Sequence, residues 1–385
     1  KSLQVLQDNN LKALLSYQAF MFNREYGGPE HHQDIYTGLY ETMKAFLGDS
    51  VYNFNGHLHS VNSVVFRKNG REFFTAGSDG RILQWNLLDD HPDPGKVYED
   101  QYIKRVLCTS RDDQWLACGT EGEGILLFHG PGKGTPVTIP AHNGQVLALE
   151  FLSGKNLLVS AGLDKKIMIW DVPSGNLVQT IETGSAVLSL SVSFDDSKLA
   201  AGFRDGSVSI WETSTWTASD LLEAAPEQPV YSVSFGNQGK WLAVGNLDGK
   251  VEIWDYNNSR MVTALRGHTA RVNDIVFSPG DEFVASAGMD GKVQVWQCSD
   301  WTLQPLVISD TEGFVFSVAF SEQGSYLVAG GSGDYRLMVR PVRSGQIAEE
   351  ICVLLNRNMT RDEWSNYVGE DIPYIPTCPN FTKRI

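Results

Sequence analysis

Short runs in which apolar and polar side chains alternate recur along most of the chain. In residues 230–267 the runs VYSVSF, WLAVG, VEIWDY and MVTALRG are separated by turns rich in Gly, Asn and Asp. Alternation with a period of two between such turns is the pattern of half-buried β-strands joined as hairpins. The segment therefore predicts four consecutive antiparallel strands.

A phrase of the form Asp-Gly-x-Val-x-Ile-Trp recurs with a period of about 42 residues. Four strands of this length cannot bury both faces unless neighbouring units stack on them, so we expect an array of units. The residues that end the phrase are Trp85, Phe128, Trp170, Trp211, Trp254, Trp296 and Arg340.

These units resemble Trp-Asp (WD) repeats, each of which is a four-stranded blade of a β-propeller. The best copy, residues 266–297, reads RGHTARVNDIVFSPGDEFVASAGMDGKVQVWQ. The second unit departs from the pattern, with Cys118 for Ser, Gly122 for Asp and Phe128 for Trp, and the seventh ends in LMVRP. The resemblance implies an all-β fold with a seven-bladed propeller at residues 50–343.

The resemblance also implies structural tetrads in which a His, a Ser or Thr, an Asp and a Trp form a hydrogen-bonded chain. The same residue types occur in hydrolases, but a nucleophile needs an exposed hydroxyl beside an oxyanion hole. Because these hydroxyls fall in mid-strand, we interpret the tetrads as structural. They are His57, Thr75, Asp79 and Trp85; His142, Ser160, Asp164 and Trp170; and His268, Ser286, Asp290 and Trp296.

Closure of the ring depends on the segment before the first complete unit. SVYNFNGH, residues 50–57, aligns with MVTALRGH, residues 261–268, which contains an outer strand. A last blade without its outer strand would leave an open sheet edge. We therefore predict that residues 50–55 pair with the strand YRLMVRP of the last unit.

Helical periodicity precedes the repeats. Residues 9–26 and 33–47 predict two amphipathic helices split by Gly-Gly-Pro, so residues 1–49 form a helical hairpin. The run LKALLSYQAF resembles the segment before WD propellers in bacterial STAND-type signalling NTPases. That resemblance implies the sensor end of a longer bacterial signalling protein.

A second helical region follows the repeats. Apolar residues of QIAEEICVLL have helical spacing, and Thr360 with Glu363 forms a capping box. We expect residues 344–385 to be a helical extension packed on the propeller. The five cysteines are odd in number and lack CxxC or small-domain spacing, which predicts free thiols; they are Cys108, Cys118, Cys298, Cys352 and Cys378.

Charge and hydropathy limit the partners. The net charge of −15, from 31 basic and 46 acidic residues, argues against binding nucleic acid or anionic membranes. No run of 18 apolar residues predicts a membrane span. Since the chain starts at Lys1, we interpret it as a monomeric fragment, cytoplasmic unless an upstream membrane helix places it in the periplasm.

Motifs for catalysis or cofactors are missing from the sequence. It contains no phosphate loop, nucleophile elbow, HExxH helix or calcium loop, and GPGKGTP at residues 130–136 has unfit spacing and two prolines. His31 with His32, and His57 with His59, lack a third and a fourth ligand. We therefore predict a non-enzyme without metal or cofactor.

Two function classes remain open: a scaffold or sensor that binds a peptide or protein, and a small-molecule or enzymatic propeller that uses the central channel. Channel chemistry would need several charged side chains at the channel mouth. The positions before the first strand of each unit hold one charge among seven, which favours the scaffold. They are Ser60, Ile103, Gln145, Ala186, Pro229, Arg271 and Phe314.

The resemblance places the residue before each turn Asp on the loop-bearing upper face. Three of these residues are large and apolar, and apolar anchors beside a few charges are typical of peptide-binding hot spots. The alternative is that these side chains fold back onto neighbouring blades. The predicted partner-binding residues are Leu163, Arg204, Pro229, Leu247, Arg271, Met289 and Phe314.

Overall fold

Seven four-stranded antiparallel sheets form the larger of two compact units, residues 53–339. The computed structural model describes residues 8–30, 32–48, 53–87, 94–122, 124–130, 132, 134–222, 228–309 and 313–378. The seven sheets confirm the predicted seven-bladed β-propeller.

The first three blades each use four consecutive strands. Blade 1 contains β2 (Val61–Phe66), β3 (Glu72–Gly77), β4 (Arg81–Asn86) and β5 (Gly95–Glu99). Blade 2 contains β6 (Lys104–Thr109), β7 (Trp115–Thr120), β8 (Ile125–His129) and β9 (Val137–Ile139). Blade 3 contains β10 (Val146–Leu152), β11 (Leu157–Gly162), β12 (Lys166–Asp171) and β13 (Leu177–Glu182).

Blades 4 to 6 follow the same order. Blade 4 contains β14 (Val187–Val192), β15 (Lys198–Phe203), β16 (Val208–Glu212) and β17 (Thr217–Leu222). Blade 5 contains β18 (Val230–Phe235), β19 (Trp241–Asn246), β20 (Lys250–Asp255) and β21 (Arg260–Arg266). Blade 6 contains β22 (Val272–Phe277), β23 (Phe283–Gly288), β24 (Val293–Gln297) and β25 (Leu306–Ile308).

The hydrophobic core lies between neighbouring blades. One cluster joins Ala243 and Ile253 of blade 5 to Ile275, Val284 and Trp296 of blade 6, and these side chains are at most 3% exposed. Middle strands such as β19 and β23 are buried at nearly every position, so both faces of these sheets are covered. Stacking of units therefore supplies the burial that a single four-stranded sheet lacks.

Blade 7 closes the ring with a strand from the start of the propeller unit. It contains β26 (Val315–Phe320), β27 (Tyr326–Gly331), β28 (Leu337–Pro341) and, as its outer strand, β1 (Asn53–Phe54). Phe54 pairs with Leu337 and is 1% exposed. Its ring stacks on Phe73 at 6.1 Å and lies 5.8 Å from Trp85. The predicted closure is confirmed for residues 53 and 54 but was wrong for Asn55, because β1 ends at Phe54; residues 50–52 lie outside the described residues.

Both chain ends contribute to the second compact unit, residues 1–52 and 340–385. It contains α1 (Asn9–Glu25), α2 (Gln33–Leu47), α3 (Ser344–Leu354) and α4 (Arg361–Tyr367), which confirms the predicted helices. The Tyr36 hydroxyl donates to the Pro341 carbonyl at 2.9 Å, and Trp364 packs edge-on against Phe22 at 6.3 Å. The capping box at Thr360 is also confirmed.

The prediction of five free thiols was wrong. Cys352 of α3 and Cys378 form a disulfide across 26 residues, while Cys108, Cys118 and Cys298 are free. The pair escaped the sequence pattern because neither cysteine has a regularly spaced neighbour. A segment that folds back along α3 brings them together: the Cys378 N–H donates to Asn358 Oδ1 at 2.8 Å.

Candidate functional site

Blade 1 holds a hydrogen-bonded chain at its loop-bearing end, which we call the upper face. His57 Nδ1 lies 3.1 Å from Asp79 Oδ1, and His57 Nε2 lies 2.7 Å from Thr75 Oγ1. Trp85 Nε1 donates to the same hydroxyl at 2.8 Å, and the Leu58 N–H donates to Asp79 Oδ2 at 2.8 Å. The chain thus ties the turn before β4 to the loop before β2.

Blade 6 repeats this arrangement. His268 Nδ1 lies 2.9 Å from Asp290 Oδ1 and Nε2 lies 2.6 Å from Ser286 Oγ, while the Trp296 ring lies 6.4 Å from the imidazole. Blade 3 has distances of 2.8 Å for His142 to Asp164, 2.8 Å for His142 to Ser160 and 2.9 Å for Trp170 to Ser160.

The tetrads bury the groups that a hydrolase would expose. Thr75, Ser160 and Ser286 are 0% exposed, so no substrate carbonyl can reach their hydroxyls. Burial lowers the pKa of His268, although the hydrogen bond to Asp290 opposes it. Burial would raise the pKa of Asp79, but the hydrogen bonds from His57 and from the backbone outweigh it, and the pKa is lowered. These polar groups stabilise one another.

Blade 2 has a different buried polar centre, which the sequence analysis missed. Lys104 is 0% exposed, and its ammonium group pairs with Asp100 and donates to the Tyr102 carbonyl at 3.0 Å. The same group lies 5.5 Å from the Tyr98 ring centroid. Burial raises the pKa of Cys118 to about 12, which keeps this thiol protonated. A Lys–Asp pair thus stands where blades 1, 3 and 6 have a tetrad.

Every innermost strand carries a β-bulge after its first residue. A bulge inserts one residue and redirects its side chain. Asn273 uses this freedom to donate to the Val315 carbonyl of the next blade at 2.6 Å. The bulge residues are Asn62, Arg105, Leu147, Leu188, Tyr231, Asn273 and Phe316.

The residue after the bulge often joins neighbouring blades around the channel. Its side-chain oxygen accepts a hydrogen bond from a backbone N–H of the following blade. The bonds are Leu107 N to Ser63 Oγ at 3.0 Å, Ile275 N to Ser232 Oγ at 2.9 Å, Val318 N to Asp274 Oδ2 at 3.0 Å and Val64 N to Ser317 Oγ at 3.1 Å.

The innermost strands of all seven blades line a central cavity of about 490 Å³. Burial raises the pKa of Glu150 to about 8 and that of Asp274 to about 6. Both carboxyl groups line the cavity, and the Arg105 guanidinium there pairs with Glu121 at 2.8 Å. Glu150 was not predicted as a channel residue. The predicted channel-mouth residues come before the first strand of each unit, whereas Glu150 lies within β10.

In blades 5 and 6, the predicted residue before the turn Asp is hydrogen-bonded to the predicted residue before the first strand. The Leu247 N–H donates to the Pro229 carbonyl at 3.2 Å, and the Met289 N–H donates to the Arg271 carbonyl at 2.9 Å. These bonds extend the pairing of the first two strands beyond their ends. In blade 7 the Phe314 carbonyl accepts from the Ser332 N–H at 2.9 Å.

The predicted binding residues differ in exposure. Leu163, Leu247 and Phe314 are each 44% exposed, and Arg204 is also exposed. Pro229, Arg271 and Met289 are half-buried. Leu163 belongs to the turn of blade 3 and Arg204 to that of blade 4, whereas the other five residues belong to blades 5 to 7.

Contacts join several residues of blades 5 to 7. The Arg271 guanidinium lies 4.2 Å from the Tyr231 ring centroid, and the Phe314 ring lies 6.4 Å from Phe316. Sequence analysis missed Tyr231, although its place after the first strand residue of VYSVSF could have indicated the bulge. We name Pro229, Tyr231, Leu247, Arg271, Met289 and Phe314 the upper-face cluster.

The described ranges contain neither a metal-binding cluster nor a membrane-spanning helix. No group of three or more His, Cys, Asp or Glu side chains there could hold a metal ion. No described helix is long and apolar enough to cross a membrane.

Comparison with protein families gives a match over more than half of the chain. The sequence profile of the WD domain, G-beta repeat (WD40) matches residues 48–86, 134–171, 175–212, 220–255, 259–297 and 304–339. Blade 2 is the part of the ring that these matches largely pass over. This blade also carries the Lys104–Asp100 pair, and it has Cys118, Gly122 and Phe128 at positions where the repeat has Ser, Asp and Trp.

Curated relatives and solved structures also match. COMPASS component SWD3 of Saccharomyces cerevisiae is 32% identical over 158 residues, covering 39% of this chain and 50% of that protein. Protein groucho of Drosophila melanogaster is 28% identical over 163 residues, covering 42% of this chain and 22% of that protein. The chain spans half or less of these relatives. The WD40 propeller domain of Doa1 is similar in fold, with a TM-score of 0.66 at 21% identity over 74% of this chain and 94% of that one.

Proposed function

Because the chain belongs to the WD40 repeat family, we propose that it is a non-catalytic interaction module whose upper-face cluster binds a peptide or protein. Members of the family typically serve as protein-interaction scaffolds. The observation that carries the proposal is the exposure of Leu247, on a turn of blade 5, and of Phe314, just before the first strand of blade 7; each is 44% exposed, and blade 6 lies between them. Exposed apolar anchors beside an Arg are typical of binding hot spots.

Chemistry in the channel is the less favoured function. Asp274 already accepts a backbone hydrogen bond, and Arg105 already pairs with Glu121, so these groups serve the fold. The Ser and Thr hydroxyls of the tetrads are fully buried and bonded to His. The polar groups are thus committed to joining blades and turns, whereas the cluster has apolar surface to cover.

The name of the yeast relative supports an assembly role, because SWD3 is described as a component of COMPASS. We further propose that this module belongs to a larger signalling protein of bacterial type, in which it serves as the sensor. The resemblance of LKALLSYQAF supports that finer proposal. Sequencing the full reading frame tests it: an NTPase domain upstream is expected, and a frame without one contradicts it.

Selection of binders from a random peptide library displayed on phage tests the proposed surface. We expect peptides that bind the wild-type protein to lose at least tenfold in affinity for Leu247→Asp and for Phe314→Asp. Val178→Asp is the matched control, since Val178 is 56% exposed on the outer strand of blade 3. Unchanged affinity for both cluster variants, with wild-type melting curves, would contradict the proposal.

A further inference from the structure

Arg271 is held in place from two sides. Its guanidinium lies over the Tyr231 ring, 4.2 Å from the centroid, and its Nε donates to Asn273 Oδ1 at 2.7 Å. Asn273 is itself fixed, because its Nδ2 donates to the Val315 carbonyl at 2.6 Å. Residues of blades 5, 6 and 7 therefore hold the forked guanidinium group of Arg271 in place. Little side-chain entropy remains to be lost when it binds a ligand.

The terminal nitrogens of this fork have no carboxylate partner among the residues that the structure describes. Several other Arg side chains pair with acids: Arg67 lies 2.5 Å from Asp113, and Arg81 lies 2.9 Å from Glu99. Within the described ranges, no Asp or Glu oxygen lies within 4.0 Å of Arg271. An oriented Arg without a carboxylate partner in the described ranges contrasts with a chain that has 46 acidic and 31 basic residues.

Apolar surface adjoins this cation. Met289 is hydrogen-bonded through its backbone to Arg271, and Phe314 is 44% exposed on the next blade. A carboxylate that reached Arg271 while apolar groups covered Phe314 and Met289 would be partly shielded from water. Charge-assisted hydrogen bonds strengthen in such surroundings, and a guanidinium fork matches the two oxygens of a carboxylate.

We propose that Arg271 binds one carboxylate of a peptide through two parallel hydrogen bonds, with an adjacent apolar side chain of the peptide on Phe314 and Met289. This inference rests on the proposed function and names its ligand chemistry. The carboxylate comes from an Asp or Glu side chain or from a peptide C-terminus. The net charge of −15 disfavours a polyacidic segment, so a single carboxylate with apolar neighbours fits best.

Defined peptides test the assignment by fluorescence anisotropy. The probes are N-acetylated hexapeptides of Leu, Phe, Ala and Gly with Glu, Gln or phosphoserine at one position, each as the free acid or the C-terminal amide. We expect the Glu amide or the Gln free acid to bind at least tenfold tighter than the Gln amide. Arg271→Gln should remove that difference without weakening the Gln amide, and Arg271→Lys should restore only part of it.

The two sources of the carboxylate give different outcomes. Preference for Glu in the amides indicates a side-chain carboxylate, and preference for the free acid indicates a C-terminal one. Equal binding of the Glu and Gln amides and of the Gln free acid overturns the inference, as does tighter binding of phosphoserine than of Glu. If the Glu and Gln peptides bind equally well but Leu247→Asp and Phe314→Asp abolish their binding, the proposed function stands and only the carboxylate assignment fails.

Discussion

Replacing Asp290 with Ala removes the centre of the blade 6 tetrad. The Asp290 carboxylate accepts from His268 Nδ1 at 2.9 Å, from the Thr269 N–H at 3.0 Å and from the Lys292 N–H at 3.2 Å. The backbone of exposed Thr269 and half-buried Lys292 can bind water instead, whereas the His268 side chain is fully buried. One unsatisfied buried group costs about 1–3 kcal/mol, so we expect a loss of about 2–3 kcal/mol.

Urea unfolding followed by tryptophan fluorescence measures this loss. Asp205→Ala is the matched control, because Asp205 occupies the same turn in blade 4 but accepts from Ser207 and has Thr183 at the His position. We expect the control to lose less than about 1 kcal/mol, since Asp205 is exposed. Equal losses in both variants would refute the argument that burial of His268 sets the cost.

Three further predictions concern the channel, the closure and the disulfide. Burial raises the pKa of Glu150 to about 8, so the free energy of unfolding of the wild-type protein should fall as pH rises from about 4.5 to about 8. Glu150→Gln should therefore be more stable than the wild type at pH 9 by roughly 2–4 kcal/mol and about equally stable at pH 4.5, as urea unfolding at the two pH values would show. Phe54→Ala should destabilise the propeller by about 3–5 kcal/mol in urea unfolding, since the ring is buried at the closing strand. Thiol titration of the denatured, unreduced protein should find three thiols, and Cys352→Ser should cost on the order of 3 kcal/mol; five thiols would contradict the disulfide.

The blades could be predicted because their signals are local and repeated. Period-two alternation predicts each strand, and the spacing from one Trp to the next predicts the stacking partner. The closing strand could be placed because SVYNFNGH matches the outer strands of other units, and Phe54 indeed pairs with Leu337. The helices followed from their apolar spacing and from the Thr360 capping box.

Contacts between distant residues could not be read from those signals. Arg271 meets Tyr231, 40 positions earlier, because a bulge redirects Tyr231 and the ring places blades 5 and 6 side by side. The same bulges decide which side chains line the channel, and alternation alone does not reveal them. Cys352 meets Cys378 because the chain turns back after α3, and no spacing rule records such a turn.

Amide hydrogen exchange with a bound peptide tests the central claim most directly. The propeller is compared with and without a saturating amount of a library-selected peptide. We predict slower exchange in residues 229–231, 247–249, 289–291 and 313–316, the upper-face segments of blades 5 to 7, and no change in β13 of blade 3. Protection confined to β13 or to other outer strands, with unchanged exchange in those four segments, would contradict the assignment of the upper-face cluster as the binding surface.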